Sequence, residues 1–273
     1  MNRQAPRMPR SRAAQADVDS LQRGLEILRC FRAGEKSLRL ADIVERTQIP
    51  RLSARKLLNT LAAQHFLREL PELERFEPDV SCFVLGHAWR ASLPILRVAR
   101  PVMQALAESL GVDVLLALRL GIEMMIVESC SARGELLPGA RSADIGAGNL
   151  VPLAQTALGR AWLWAQRPAI QGEVIERIRA ESDGNAPNAI PGIYRAFQDL
   201  AERGYCLSLG DWRQDRHAIA TPLILGGGSE VFALSAAAAD PRLNDAGFRE
   251  KAAAALMDAA QRIKNEVPRA EAG

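Results

Sequence analysis

The chain has 273 residues, 48% hydrophobic and 25% charged, with a formal net charge of +3. That is enough apolar material for one large domain or two ordinary ones, and too mild a charge to imply nucleic acid by its total alone. The four cysteines, Cys30, Cys82, Cys130 and Cys206, stand far apart with no paired spacing, which argues against a zinc site and a stapled secreted scaffold and fits reduced thiols in a cytoplasm. No run approaches the roughly eighteen uninterrupted apolar residues of a membrane span, and the N-terminus lacks the apolar core of a signal peptide.

Residues 1–16 hold Arg3, Arg7, Arg10 and Arg12 with no acid among them, the pattern of a disordered basic arm. A first compact unit is expected over 17–79. In "VDSLQRGLEILRCF", Val18, Leu21, Leu25, Leu28 and Phe31 recur at spacings of three and four, which predicts a helix with those residues inward. "LADIVERT" predicts a short helix burying Leu40, Ile43 and Val44. Pro50 keeps Ile49 out of any helix. The next helix is expected to start near Ser53, a good N-cap residue, with Leu57, Leu58 and Leu61 inward and Arg55, Lys56 and Asn59 on the opposite side. "FLREL" and "RFEPD", joined by "PELE", predict a β-hairpin.

Pro94 and Pro101 then break the chain into one helix before Pro94 and a second starting near Pro101, where proline suits a first turn, and ending at Gly111. "VDVLLALRL" and "MMIVESC" read as strands joined through Gly121. "VPLAQTALGRAWLWAQ" begins as a strand end and becomes a helix. "IYRAFQDLAERGY" is an amphipathic helix stopped by Gly204. "AIATPLIL", "GGGS" and "EVFALSAAA" form a hairpin. A long last helix places Phe248, Leu256 and Ile263 inward. The whole is of the α+β class, a helical unit followed by an antiparallel sheet with flanking helices.

"VDSLQRGLEIL" followed by "LADIVERTQIPRLSARKLLNTLAAQHFL" resembles the winged helix-turn-helix of IclR-type (isocitrate lyase regulator) transcription factors. The resemblance continues, in order and at similar separations, through "LRVARPVMQALAESLGVDV", "VPLAQTALGRAWL", "LAERGYCLSLGDW", "HAIATPL" and "VFALSAAAADPRL", about residues 17–267. It implies a winged helix-turn-helix over 17–79, a linker helix over 80–98, a GAF-like effector-binding domain over 99–268 and a tail at 269–273. It also implies a homodimer or homotetramer that regulates genes according to a small metabolite, a repressor more often than an activator; no cofactor is expected, and His65, His87 and His217 have no metal-ligand spacing. Three positions depart from the family's usual pattern: Arg39 stands where a capping Ser or Thr is common, Gln48 where the turn usually has glycine, and Leu52 where a Ser or Thr often opens the recognition helix.

A recognition helix reads base edges with its N-terminal residues. Arg51, Ser53, Arg55, Lys56 and Asn59 fall on the expected face, with Arg55 as base reader and Lys56 as phosphate contact. Arg23 matches a family position near the DNA backbone. Arg68 and Arg75 flank the wing, but Glu69, Glu72, Glu74 and Glu77 make that wing weakly cationic. The partner is double-stranded DNA with a near-palindromic operator. The other reading of these cations is a solvated helix face.

Free N–H groups at a helix start suit a carboxylate. The resemblance places the effector beside Thr156, Ala157 and Leu158, with Ser208, Ala218, Ser235 and Ala237 around it. Ser208, Ala218 and Ala237 stand where more polar residues are frequent, which tilts the expected ligand towards an apolar, for example aromatic, organic acid. Asp211, Trp212 and His217 lie on the adjoining segment as candidate lining residues; plain packing for Trp212 and a surface or satisfied histidine are the alternatives. Catalysis has little support. There is no Gly-x-Ser-x-Gly elbow, phosphate-binding Gly-Lys-Ser/Thr loop or His-Glu-x-x-His pair, and "GGGSE" lacks the phosphate-loop lysine. A sensor that does not bind DNA, or a protein-interaction module, is the remaining alternative.

Overall fold

The computed structural model describes residues 19–32, 34–132, 145–181 and 186–271; the basic arm expected over 1–16 lies outside them. Two compact units meet between Ser92 and Leu93. In the first, the helices are α1 (Asp19–Leu28), α2 (Leu40–Thr47), α3 (Arg51–Ala63) and α4 (Val80–Ala91). Its strands β1 (Leu38–Arg39), β2 (Leu67–Leu70) and β3 (Arg75–Pro78) form an antiparallel sheet in the order β1-β3-β2. The hairpin is the expected one, whereas β1 is too short to leave a periodic trace. Ile27, Cys30, Leu38, Ile43, Ile49, Ala54, Leu58, Leu67 and Phe76 make the core.

The inward face expected for α1 is corrected. Leu21 is 62% and Leu25 46% exposed, while Gly24 and Ile27 are buried. Leu25 precedes Ile27 by two residues and so falls on nearly the opposite side of the helix. Leu28 and Phe31 do pack against the core as expected, but in the first turns the stripe facing it is that of Gly24 and Ile27 rather than Leu21 and Leu25; Val18 lies outside the described residues.

The start of α3 is also corrected. Pro50, at φ −54 and ψ 137, is the N-cap and Arg51 the first helical residue; Ala54 N–H donates to the Pro50 carbonyl at 2.9 Å and closes the first turn. Ser53 is therefore inside the helix, not its cap. Arg39 cannot accept a capping hydrogen bond at α2, but Asp42 offsets the loss from the other side. Its carboxylate accepts the Arg39 backbone N–H at 2.9 Å and the guanidinium at 2.9 and 3.2 Å, and these arginine contacts hold the Asp42 carboxyl below its usual range. Gln48 ends α2 in the left-handed region at φ 59, the conformation for which glycine is the default.

The second unit begins with α5 (Pro94–Leu110), followed by β4 (Asp113–Leu120), β5 (Glu123–Ser131), β6 (Leu150–Pro152), α6 (Ala157–Trp164), α7 (Pro168–Glu181), α8 (Ala186–Arg203), β7 (Cys206–Leu209), β8 (His217–Leu225), β9 (Glu230–Ala238) and α9 (Ala246–Glu271). Proline starts α5 at Pro94, and Pro101 lies within the helix rather than opening a new one. Pro101 forgoes one i→i−4 bond, but Val98, Ala99, Val102 and Met103 on either side of it are buried along one stripe, which keeps the helix continuous. Its end at Gly111, φ 67, is as expected. α9 runs through Pro268 to Glu271, past the start of the tail expected at 269. α7 was not anticipated.

The strands form an antiparallel sheet in the order β6-β5-β4-β9-β8-β7. Side chains alternate faces along a strand. Ile219, Leu223 and Leu225 of β8 and Phe232, Leu234 and Ala236 of β9 join α5 and α9 in one core, with Leu256 and Ile263 fully buried there. Ala220 of β8 and Ala233 and Ala237 of β9 face α6 and α8 across a second core. The glycine-rich stretch is the turn of the β8–β9 hairpin, where Leu225 pairs with Glu230 and three consecutive glycines take positive φ.

Candidate functional site

α3 is polar outside and apolar inside. Ala54 and Leu58 are fully buried, and Arg51, Leu52, Arg55, Lys56, Asn59 and Thr60 are exposed, with Ser53 half-buried. These positions recur at three and four residues, so they share one outward surface. The first turn carries no acid, which leaves the positive end of the helix dipole unopposed there.

The expected cations differ in how free they are. The side chains of Arg51, Lys56 and Asn59 make no hydrogen bond or ion pair among the described residues. Arg23 pairs with Asp19 on its own helix at 2.7 Å, both exposed. Arg55 pairs with Glu69 of β2 at 2.8 Å and lies over the Phe76 ring, 5.5 Å from its centre. Arg68 pairs across the hairpin with Glu77. Arg75 donates to the Ser37 hydroxyl and carbonyl, both at 2.7 Å, so its guanidinium ties the wing to β1 instead of reaching outward.

The second group of residues gathers on the α6 face of the sheet. Thr156 caps α6; its hydroxyl accepts from Gly159 N–H at 3.2 Å and donates to the Pro152 carbonyl at 2.8 Å. Gly159 allows this turn to close, since a Cβ there would lie 2.1 Å from the Leu153 carbonyl oxygen. The N–H groups of Ala157 and Leu158 have no intrahelical acceptor, as in any first turn. Ser208 donates to the Gln155 carbonyl at 2.9 Å. Ala218 pairs with Ala237, and Ala220 with Ser235, which puts Ala218, Ser235 and Ala237 on this face. Ser235 is fully buried and its hydroxyl has no hydrogen-bond partner among the described residues. On β8 and β9 this face is thus lined by small side chains, with the Ser235 hydroxyl unmet among the described residues.

Of the adjoining residues, Asp211 has a partner of its own, Trp212 packs, and His217 lies on the other face. Asp211 pairs with Arg160, a residue the sequence reading did not single out. Arg160 is 4% exposed and also donates to the carbonyls of Ala154, at 2.9 Å, and Leu207, at 3.3 Å. A lone arginine in "ALGRAWLW" was the available signal: a charge in an apolar helix is expected to be buried only with partners. Trp212 packs against the α6-side core with Arg213 stacked 4.9 Å from its ring centre. His217 is buried and shares the β8 face of Ile219 and Leu223, the α5 and α9 side. It therefore lies across the sheet from Ser235 and does not line the same face.

The cysteines offer no nucleophile. Burial pushes the Cys206 thiol up to about 12 and the Cys30 thiol to about 11. No group of three His, Cys, Asp or Glu side chains among the described residues is arranged to hold a metal. No described helix is long and apolar enough to cross a membrane.

Two family models match the chain. That of the IclR helix-turn-helix domain covers residues 20–71, and that of the bacterial transcriptional regulator IclR C-terminal domain covers 87–265. The HTH-type transcriptional regulator TsaQ1/TsaQ2 of Comamonas testosteroni is 28% identical over 252 residues, 92% of this chain and 88% of that protein. The crystal structure of an IclR family transcriptional regulator from Brucella abortus superposes with a TM-score of 0.78 at 30% identity, covering 93% of this chain and 94% of its own. An IclR homolog from Microbacterium hydrocarbonoxydans, solved in complex with 4-hydroxybenzoate, has a TM-score of 0.70 at 20% identity over 91% of this chain and 99% of its own; at that identity the likeness is one of fold.

Proposed function

The chain belongs to the IclR family of DNA-binding bacterial transcriptional regulators, and from that premise we propose that it reads its operator with the outward face of α3 and answers to a small organic acid held on the α6 face of the sheet. The observation that carries the first half is the set Arg51, Lys56 and Asn59: exposed, unpaired within the described residues, and on one stripe of a helix whose first turn has no acid. A helix of this kind fits the major groove. Arg55 supplies the base-reading guanidinium and Lys56 a phosphate contact; Arg23 supports the backbone.

The second half rests on the start of α6. The Ala157 and Leu158 N–H groups suit a carboxylate, the Ser235 hydroxyl on the same face is a donor and acceptor without a partner among the described residues, and the small side chains Ala218, Ala220, Ala233 and Ala237 give that face the apolar character an aromatic body needs. 4-Hydroxybenzoate, bound by a fold relative, is a ligand of this chemistry. The proposed ligand is an aromatic monocarboxylic acid.

A near-palindromic operator requires two recognition helices from one oligomer. α4 buries none of its residues and exposes Phe83, Val84 and Leu85 to 71, 58 and 59%, and such an apolar face on a protein that works in the cytoplasm is the natural seat of a second copy. The bound oligomer represses by occupying promoter DNA. The direct test is a gel shift of the full chain on the DNA upstream of its own gene, over a salt series with and without 4-hydroxybenzoate. Affinity is expected to fall steeply with salt and to change with the acid. An effector alters DNA affinity only by binding the two conformations unequally. No retarded band even in dilute buffer would transfer the molecule to the sensor or interaction-module class.

A further inference from the structure

We infer that Glu69 is a positioning residue for DNA recognition: it holds Arg55 for base reading, and the wing acts as a bracket for α3 rather than as a contact to the DNA backbone. This rests on the reading of α3 as the recognition helix.

Between Leu67 and Pro78 there are four glutamates and two arginines. Both arginines are already engaged, Arg68 by Glu77 and Arg75 by Ser37. A hairpin with that charge and no uncommitted cation is repelled by phosphates, not drawn to them. What the hairpin does offer is aimed at α3. Glu69 Oε1 lies 2.8 Å from Arg55 Nη1, and the guanidinium sits over the ring of Phe76, which is itself 1% exposed and fixed in the core. One nitrogen is tied, one face is stacked, and the edge formed by Nε and Nη2 is left for a ligand.

Arginine reads guanine through two parallel hydrogen bonds. That demands a fixed guanidinium plane, and a long side chain must give up its rotamer freedom to supply it. Arg55, although 45% exposed, is held in advance from two sides by side chains of the wing. A carboxylate that merely opposed DNA would have no reason to be coupled to one residue of α3. The structure therefore assigns Glu69 a role in which base is chosen, acting through Arg55.

The test uses the full chain and a randomised double-stranded DNA pool. Wild type, Glu69→Ala, Glu69→Gln, Arg55→Ala and the Arg55→Ala/Glu69→Ala double variant are each selected against the pool. Affinities are then measured for the duplex preferred by wild type and for its single-base substitutions, with a thermal melt of every variant. At the base whose preference Arg55→Ala abolishes, Glu69→Ala is expected to reduce discrimination about tenfold, while Glu69→Gln, which keeps an acceptor oxygen, retains part of it. In the Arg55→Ala background the Glu69 change is expected to have no effect at that base. Should Glu69→Ala misfold, the Glu69→Gln comparison stands in its place. The assignment is overturned if Glu69→Ala keeps the wild-type preference. It is also overturned if that variant tightens binding to every duplex equally with or without Arg55, the behaviour of a plain repelling charge. If wild type itself enriches no sequence, the operator reading fails and this assignment with it; if wild type enriches a sequence and Glu69→Ala keeps that preference, this assignment alone fails.

Discussion

Replacing Gly159 by alanine reverses the effect usually expected of this substitution. In a helix interior, glycine to alanine ordinarily stabilises by about 0.5–1 kcal/mol, because alanine has less backbone freedom to lose. Gly172, in α7, is such a site: a Cβ there meets nothing within 4 Å. At Gly159 the added carbon lies 2.1, 2.4 and 2.5 Å from the carbonyl oxygen, Cα and carbonyl carbon of Leu153. Those are backbone atoms, and Leu153 itself is fully buried, so neither side yields by a rotamer change. Overpacking of a closed core costs about 1–3 kcal/mol; with three backbone atoms in the way, the upper end applies. Subtracting the helix gain of about 1 kcal/mol leaves a net loss of about 2 kcal/mol. At about 2–4 °C per kcal/mol for a unit of this size, Gly159→Ala should melt about 4–8 °C below wild type and Gly172→Ala slightly above it, by thermal denaturation followed with circular dichroism. If the start of α6 holds an organic acid as proposed, Gly159→Ala should also weaken its binding, since the α6 turn carries the Ala157 and Leu158 N–H groups. A Gly159→Ala protein that melts at or above wild type would refute the argument that this turn closes on a bare Cα.

Asp211→Asn leaves the guanidinium of buried Arg160 with carbonyl oxygens but no counter-charge. Because Asp211 is itself 42% exposed and its loss is partly made good by solvent, the expected cost is about 1–2 kcal/mol, read in urea titration; an unchanged midpoint would sink the role given to the pair. Arg contacts hold the carboxyls of Glu35, Asp42 and Asp240 below their ordinary values of 4.5, 3.8 and 3.8. A lowered folded pKa adds stability that is complete above the unfolded value and disappears as pH falls through the folded one. The contribution of these groups to the melting temperature should therefore be complete and constant between pH 5 and 7 and be lost below about pH 4, with Glu35→Gln showing a shallower acid limb. Phe83→Glu on α4 should lower the oligomer mass seen by light scattering without lowering the melting point of the unit; an unaltered mass would remove α4 from the interface.

Much of the fold was legible because its signals are local. Prolines, glycines and strand alternation located α2, the body of α3, the β2–β3 wing, the β4–β5 and β8–β9 hairpins and the final helix. The failures share one physical cause. Periodicity shows that a helix has an apolar stripe but not which stripe the tertiary structure uses. α1 offered Leu21 and Leu25, and the core took Gly24 and Ile27. Pro101 was a breaker by propensity, and burial of its neighbours on both sides carried the helix through it. β1, two residues long, exists only because β3 lies beside it.

The site residues were legible as residue types and not as partners. On the DNA side the sequence offered Arg55 as base reader, Lys56 as phosphate contact, Arg23 and Arg51 beside them, and Arg68 and Arg75 on a weakly cationic wing, without showing what else each one holds. The structure separates them by what else each one holds: Arg75 is committed to Ser37 and Arg68 to Glu77, whereas Arg51 and Lys56 remain uncommitted among the described residues. The acids of the wing looked like a weakness in a DNA-binding hairpin, but one of them, Glu69, is bonded to the arginine best placed to read a base. The same holds in the second unit. Asp211 was a candidate for the ligand until Arg160 claimed it, and His217 until strand parity moved it across the sheet. Ser235 is the opposite case. The family resemblance named it as a candidate contact; what it could not show is that the side chain is fully buried with its hydroxyl unmet among the described residues. A buried hydroxyl without a partner costs about 1–3 kcal/mol, and a bound ligand that hydrogen-bonds to it recovers that cost. Ser235→Ala should consequently leave the ligand-free protein as stable as wild type or more so, while reducing the thermal shift produced by 4-hydroxybenzoate. A variant that loses stability without ligand and keeps the full shift would show that the hydroxyl has a partner within the protein after all.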